Sequence, residues 1–147
     1  MDWTPHLTVA AIAERDGRFL LVEERVGGVR VINQPAGHLD ADESLMQGCA
    51  REMLEETAWE FKPEALVGIY QYHLPDTSHM YLRFAFCGRL VRECPGQELD
   101  DTIIRTVWMT RDEIAALEEY RRRSPMVLQC VDDYLAGVRH PLSLISS

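Results

Sequence analysis

Apolar positions follow two rhythms along this chain. His6 to Ala13 (HLTVAAIA) and Phe19 to Glu24 (FLLVEE) are apolar, β-branched runs, as expected of strands buried in a core. Arg15-Asp16-Gly17-Arg18 between them signals a hairpin, because Asp-Gly accepts the positive φ that a tight turn needs. Gly27-Gly28 turns the chain again, and Val29 to Gln34 reads as a short strand entering Pro35-Ala36-Gly37. The period then becomes helical over Ser44 to Trp59, with Asp40-Ala41-Asp42-Glu43 as a capping box and Asp40 as the N-cap. Two longer strands follow, Ala65 to His73 and Met80 to Val91, joined by the turn Pro75-Asp76-Thr77-Ser78. Pro95 to Asp101 is an acidic loop, and Arg105 to Met109 is a last strand. Thr110-Arg111-Asp112-Glu113 is a second capping box, opening a helix that runs to Tyr120. Ser124-Pro125 opens a final helix, Met126 to Ala136, ended by Gly137. Strands, helix, strands and helices in that order predict one α+β or mixed-sheet α/β/α domain over residues 1–147.

The first helix carries the candidate chemistry. At about 100° per residue, with Leu45 at zero, Cys49, Met53, Met46, Thr57, Ala50 and Leu54 fall on an arc from roughly zero to 180°. That arc is an apolar face fit for burial. Glu52, Glu55 and Glu56 share the flank between roughly 280° and 20°, with Arg51 near 240°. Three carboxylates so close repel one another unless something neutralises them. Hard cations such as magnesium prefer oxygen ligands, and magnesium completes its shell from water and substrate phosphates. Taken alone, Glu-x-x-Glu-Glu also describes an acidic helix face in solvent.

The wider spacing decides between these readings. Gly37 is followed after five residues by Glu43, and Glu43 after seven by Arg51-Glu52-Met53-Leu54-Glu55-Glu56-Thr57-Ala58-Trp59. This resembles the box of the Nudix hydrolases, Gly-x5-Glu-x7-Arg-Glu-apolar-x-Glu-Glu-x-Gly-apolar. Every position matches but one, where Ala58 stands for the last Gly. Ala58 removes no ligand. In a left-handed helix end it costs about 1 kcal/mol, unless the helix runs on toward Glu60 and stops before Pro63.

The resemblance implies an α/β/α sandwich with a mixed, mostly antiparallel sheet, and hydrolysis of phosphoanhydride bonds. It implies metal ligation by Glu52, Glu55, Glu56 and the carbonyl of Gly37, with magnesium as cofactor and manganese as its substitute. It places Glu56 or a loop acid at the base position, has Glu55 as a second catalytic carboxylate, and gives Arg51 the work of holding a neighbouring glutamate. Glu43 has two readings, a water-mediated member of the metal site or the structural partner of Asp40. Glu98, Asp100 and Asp101 are candidates for an extra loop acid, or simply a solvated turn. Arg83 is expensive to bury unpaired, so it faces substrate phosphate or pairs with a structural acid. With Gly37 and His38 it is a candidate substrate contact. His73 and His79 flank the hairpin tip.

Further segments narrow the resemblance to a bacterial phosphatase branch of the family: Pro5-His6-Leu7-Thr8-Val9-Ala10, Asn33-Gln34-Pro35-Ala36-Gly37-His38-Leu39, Leu82-Arg83-Phe84, Arg123-Ser124-Pro125 and Gly137-Val138-Arg139-His140-Pro141-Leu142. That branch implies release of phosphate from nucleoside tri- and diphosphates, and from hydroxymethylpyrimidine diphosphate, a thiamine precursor. The alternatives are a pyrophosphohydrolase acting on ADP-ribose, sugar nucleotides, dinucleotides or capped RNA ends, and a catalytically silent nucleotide sensor. Silent relatives lose box carboxylates, which are kept here.

Composition adjusts this picture. A formal net charge of −9 argues against binding a nucleic-acid backbone. Small nucleotides and diphosphates remain as partners, because a local cation overrides the global charge. There is no N-terminal apolar leader and no apolar run long enough to span a bilayer, so a cytoplasmic protein without membrane partners is expected. None of Cys49, Cys87, Cys94 and Cys130 forms a C-x-x-C pair, and Cys49 and Cys87 read as small buried thiols. A monomer or a homodimer is compatible with the chain, with Trp3, Trp59 and Leu142 to Ile145 as available interface surface.

Overall fold

Strand β1 (His6–Ile12) is apolar without a break from Val9 to Ile12 because both of its faces are covered there. Val9 and Ala11 pack with Cys49 and Met53 of helix α1 (Leu45–Thr57). Ala10 and Ile12 pack on the opposite side with Ile114, Val127, Cys130 and Val131. These come from helices α2 (Arg111–Ala116) and α3 (Met126–Leu135). The computed structural model describes residues 3–75 and 77–147. Its remaining strands are β2 (Glu14–Arg15), β3 (Arg18–Val26), β4 (Val29–Asn33), β5 (Ala36–His38), β6 (Trp59–His73), β7 (Met80–Glu93) and β8 (Ile103–Thr110).

One four-stranded sheet has the order β5-β1-β7-β6. β1 runs parallel to β7, while the β1–β5 and β6–β7 pairs are antiparallel. In a second sheet β3 pairs with β2, β4 and β8, all antiparallel. The mixed, mostly antiparallel sheet between helices is the α/β/α sandwich expected. No helix among the described residues is long and apolar enough to cross a membrane.

Several local expectations are met for local reasons. Asp16 and Gly17 both adopt positive φ at the first hairpin, as do Gly27 and Gly28 at the second. Thr110 caps α2 with Glu113 completing the box. Ser124 Oγ accepts the Met126 N–H at the head of α3. Cys49 and Cys87 are buried, and all four cysteines are free.

Other expectations are corrected. The N-cap of α1 is Ser44, whose hydroxyl accepts the Gln47 N–H while the Gln47 side chain accepts the Ser44 N–H. Asp40 is not the cap. Glu43 still accepts the Asp40 N–H at 2.8 Å, but inside a turn that precedes the helix. The helix stops at Thr57 because Ala58 is left-handed, with φ 65°. β6 therefore begins at Trp59 and passes through Pro63. A proline is tolerated there because β6 is an edge strand with register shifts around that residue. α2 ends at Ala116, short of Tyr120, since Leu117 is extended. The turn expected at Pro75-Asp76-Thr77-Ser78 includes Asp76, which lies outside the described residues. The burial of α1 also departs from the helical wheel. Glu52 and Glu56 are buried with Cys49 and Met53, while Ala50 and Leu54 are only half-buried.

Candidate functional site

The departure of α1 from its wheel is explained by what faces it. β5, unforeseen as a strand, is clamped to β1 with Thr8 opposite His38, Val9 opposite Gly37 and Ala10 opposite Ala36. The Pro35 carbonyl accepts the Ala11 N–H at 2.9 Å, and Leu39 N–H donates to Leu7 at 3.1 Å. Side chains alternate along a strand, so Gly37 turns toward α1 while Ala36 and His38 turn the other way. A β-carbon on Gly37 would collide with the Glu52 carboxylate. Glycine is therefore required here for close approach.

Arg51 is the hub of the acidic face. Its Nε donates to Glu43 Oε2 at 2.9 Å, and Nη2 to Glu43 Oε1 at 2.7 Å and to the His38 carbonyl at 3.0 Å. Nη1 donates to Glu52 Oε1 at 2.9 Å and to Glu55 Oε2 at 3.1 Å. Charge-assisted pairs of this kind fix geometry as well as energy. The Arg51 hydrogen bonds hold Glu43 below the usual carboxylate range. Glu43 thus serves chiefly as an anchor for Arg51, which neither sequence reading described.

Of the three candidate loop acids, only Asp100 lies beside the helix carboxylates among the described residues. Ligand oxygens of Glu52, Glu55 and Asp100 lie within 4.8 Å of one another. The loop is brought there by backbone bonds from Asp100 N–H to Glu55 at 2.9 Å and from Cys94 N–H to Ala58 at 2.7 Å. Glu98 and Asp101 are exposed and lie outside the group. An oxygen-only, anionic donor set of graded burial is what a hard divalent cation takes, and the space kept clear at Gly37 adjoins it. The residues fit such an ion. Glu56 stands outside the group of three. It is buried, and its Oε1 accepts the Ala36 N–H at 2.9 Å. Burial pushes the Glu56 carboxyl up to about 9, against the pull of that hydrogen bond, with Glu52, Glu24 and Asp100 adding repulsion. Glu52 is likewise raised, first by burial, although Arg51 opposes the shift.

On the other side of β5 a cavity of about 200 Å³ opens. Sheet register builds its floor, with His38, Thr8 and Arg83 in one row and Tyr81 and Tyr72 in the next. Arg83 is 4% exposed. Its Nη1 donates to Gln34 Oε1 at 2.8 Å and Nη2 to Asn33 Oδ1 at 2.9 Å. The structural acid considered as its partner is not found, since among the described residues Arg83 forms no ion pair and its buried Nε has no acceptor. Uncharged amide acceptors solvate the guanidinium without neutralising it, so its positive charge stays in the cavity. Glu24 also lines it, raised by burial and opposed by Arg123, whose Nε stands 3.6 Å away. Sequence reasoning missed Glu24. Its signal was an acid closing the apolar run FLLVEE. His73 is exposed at the end of β6 and does not line the cavity.

Comparison with known proteins agrees with this geometry. A family profile described as the NUDIX domain matches residues 4–130. Phosphatase NudJ from Escherichia coli K12 is 40% identical over 141 residues, which covers 96% of this chain and 90% of that one. A solved NUDIX hydrolase from Nitrosomonas europaea superposes with a TM-score of 0.93 at 46% identity, over 98% of this chain and 97% of that one. The NUDIX domain of Shewanella oneidensis NrtR, complexed with ADP ribose, superposes with a TM-score of 0.73 at 18% identity, over 92% and 90% of the two chains. At that identity it speaks for the fold alone.

Proposed function

The chain belongs to the Nudix hydrolase family, and from that premise we propose a magnesium-dependent phosphatase that releases phosphate from nucleoside tri- and diphosphates and from hydroxymethylpyrimidine diphosphate. The observation that carries this reading is the acidic group Glu52, Glu55 and Asp100 standing across Gly37 from a cavity that holds the Arg83 charge. The 40% identity to a protein named phosphatase NudJ supports terminal phosphate release over internal cleavage.

Glu52, Glu55 and Asp100, with the carbonyl of Gly37, are the groups to hold the cation. A bound magnesium ion supplies charge stabilisation for a developing oxyanion and acidifies a coordinated water. Arg51 engages one oxygen of Glu52 and one of Glu55, leaving the other oxygen of each without a protein donor among the described hydrogen bonds. Glu56 is the proton acceptor. It is buried beside the acids and fixed by the Ala36 N–H, with one oxygen still free of protein donors. Arg83 and His38 hold the substrate from the cavity side, next to Gly37.

The test is a phosphate-release assay with magnesium, with and without chelator, on GTP, GDP, ADP-ribose, a dinucleoside polyphosphate and hydroxymethylpyrimidine diphosphate. Chelator-sensitive orthophosphate from the tri- and diphosphates is expected. Silence on these, with two phosphorylated fragments from ADP-ribose or the dinucleotide, would replace phosphatase action by internal pyrophosphate cleavage.

A further inference from the structure

The chain has five histidines, and three of them, far apart in sequence, meet in one cluster that includes His38, which lines the cavity. His6 stacks on Tyr81, its neighbour in the parallel β1–β7 pairing, with ring centres 4.8 Å apart and planes 22° apart. His38 and His79 approach the same His6 ring edge-on, at 5.5 and 5.2 Å between centres. His6 Nδ1 and His38 Nε2 are 3.4 Å apart. That is long for a hydrogen bond to a ring nitrogen, for which about 2.7–3.2 Å is usual. It matches two ligands of one tetrahedral ion, since metal–nitrogen bonds of about 2.0–2.1 Å at a tetrahedral angle put the nitrogens roughly 3.3–3.4 Å apart.

We propose that His6 and His38 form a second metal site, for a nitrogen-preferring divalent cation such as zinc or nickel, at the mouth of the substrate cavity. Both ligands sit on paired strands, and the Tyr81 stack fixes the His6 ring, so the pair is preorganised. Neither imidazole has another hydrogen-bond partner in the protein among the described residues. His79 is exposed on the hairpin tip and joins as a third ligand by rotating its side chain, a motion that exposed residues make within nanoseconds. Imidazoles suit zinc and nickel while carboxylates suit magnesium, so the two sites sort metals by chemistry. His38 and Tyr81 line the cavity, and an ion on His38 therefore obstructs substrate entry. The site makes the enzyme sensitive to zinc without displacing magnesium from the acids.

Zinc titration by calorimetry in saturating magnesium tests this without using hydrolysis as the readout, so its result is independent of which phosphoanhydride is cleaved. One zinc per chain is expected. His6→Phe, which keeps the ring stacked on Tyr81, and His6→Gln, which removes the ring, should each weaken zinc binding at least about tenfold. Glu55→Gln should leave it unchanged. Wild-type zinc affinity in both His6 variants, no zinc uptake in saturating magnesium, or uptake lost in Glu55→Gln but kept in His6→Phe would each overturn the site.

Discussion

Glu56 is a residue whose ionisation works against the metal-free fold. A buried carboxyl with only one protein donor resists ionisation, so its burial stabilises the metal-free protein only while it stays protonated. Glu56→Gln keeps the shape and removes the charge. It should lower kcat at least about a hundredfold and raise the unfolding temperature of the metal-free protein at about pH 8. Near-wild-type turnover would remove Glu56 from the mechanism. Gly37 makes the complementary case. Its φ is not in the left-handed region, so alanine there is a steric problem and not a backbone one. Gly37→Ala should displace Glu52 and weaken magnesium activation by about tenfold to a hundredfold, read as a shift in the magnesium dependence of turnover, with far-UV circular dichroism unchanged. Glu52, Glu55 and Arg51 were legible in the sequence because their relations lie within two helical turns. Arg83 was legible only as an anomaly, because its partners, Asn33 and Gln34, are about fifty residues away and meet it through sheet pairing.

At the scale of elements, local signals were legible and nonlocal ones were not. The Thr110–Glu113 box and the two glycine hairpins are written within four residues each. Asp40 to Glu43 and Ser44 to Gln47 carry equally good capping patterns, and the choice between them falls to Arg51, which recruits Glu43. β5 is three residues long and exists because β1 pairs with it. Asp100 joins the carboxylate group through loop closure onto the Glu55 carbonyl, which no spacing rule encodes. Two substitutions test these junctions. Asp100→Asn should weaken magnesium activation about tenfold or more, while Glu98→Gln, on the exposed part of the same loop, should not; equal effects would assign the loop a purely electrostatic role. Ala58→Gly at the left-handed helix end should stabilise the protein by about 1 kcal/mol, measured as a raised denaturation midpoint at constant m-value. The Ala58 carbonyl receives the Cys94 N–H, so the same substitution leaves the acidic loop anchored and turnover unchanged.

The whole molecule sets a mixed sheet between two helical layers, flanks it with a second sheet, and buries acids on both the first helix and the second sheet. Glu24, Glu52 and Glu56 all have carboxyls raised first by burial. A group whose folded value lies above its unfolded one contributes stability that is complete below the unfolded value, near 4.5, and is lost as pH rises through the folded value, about 9 for Glu56. Glu43 runs the other way: its folded value is lowered, so its contribution is present at neutral pH and lost in acid. The metal-free protein should therefore be most stable in mildly acidic solution and weaken steadily toward alkaline pH, although its net charge of −9 alone already disfavours alkaline conditions. Magnesium distinguishes the two causes. A cation bound at Glu52, Glu55 and Asp100 favours the ionised form of the buried acids, so it should raise the unfolding temperature more at about pH 8 than at about pH 5.5. Glu56→Gln should flatten the metal-free pH profile, whereas an exposed control such as Glu98→Gln removes the same charge and should leave the slope as it was. If both variants change the slope equally, global repulsion and not the buried site governs the pH dependence.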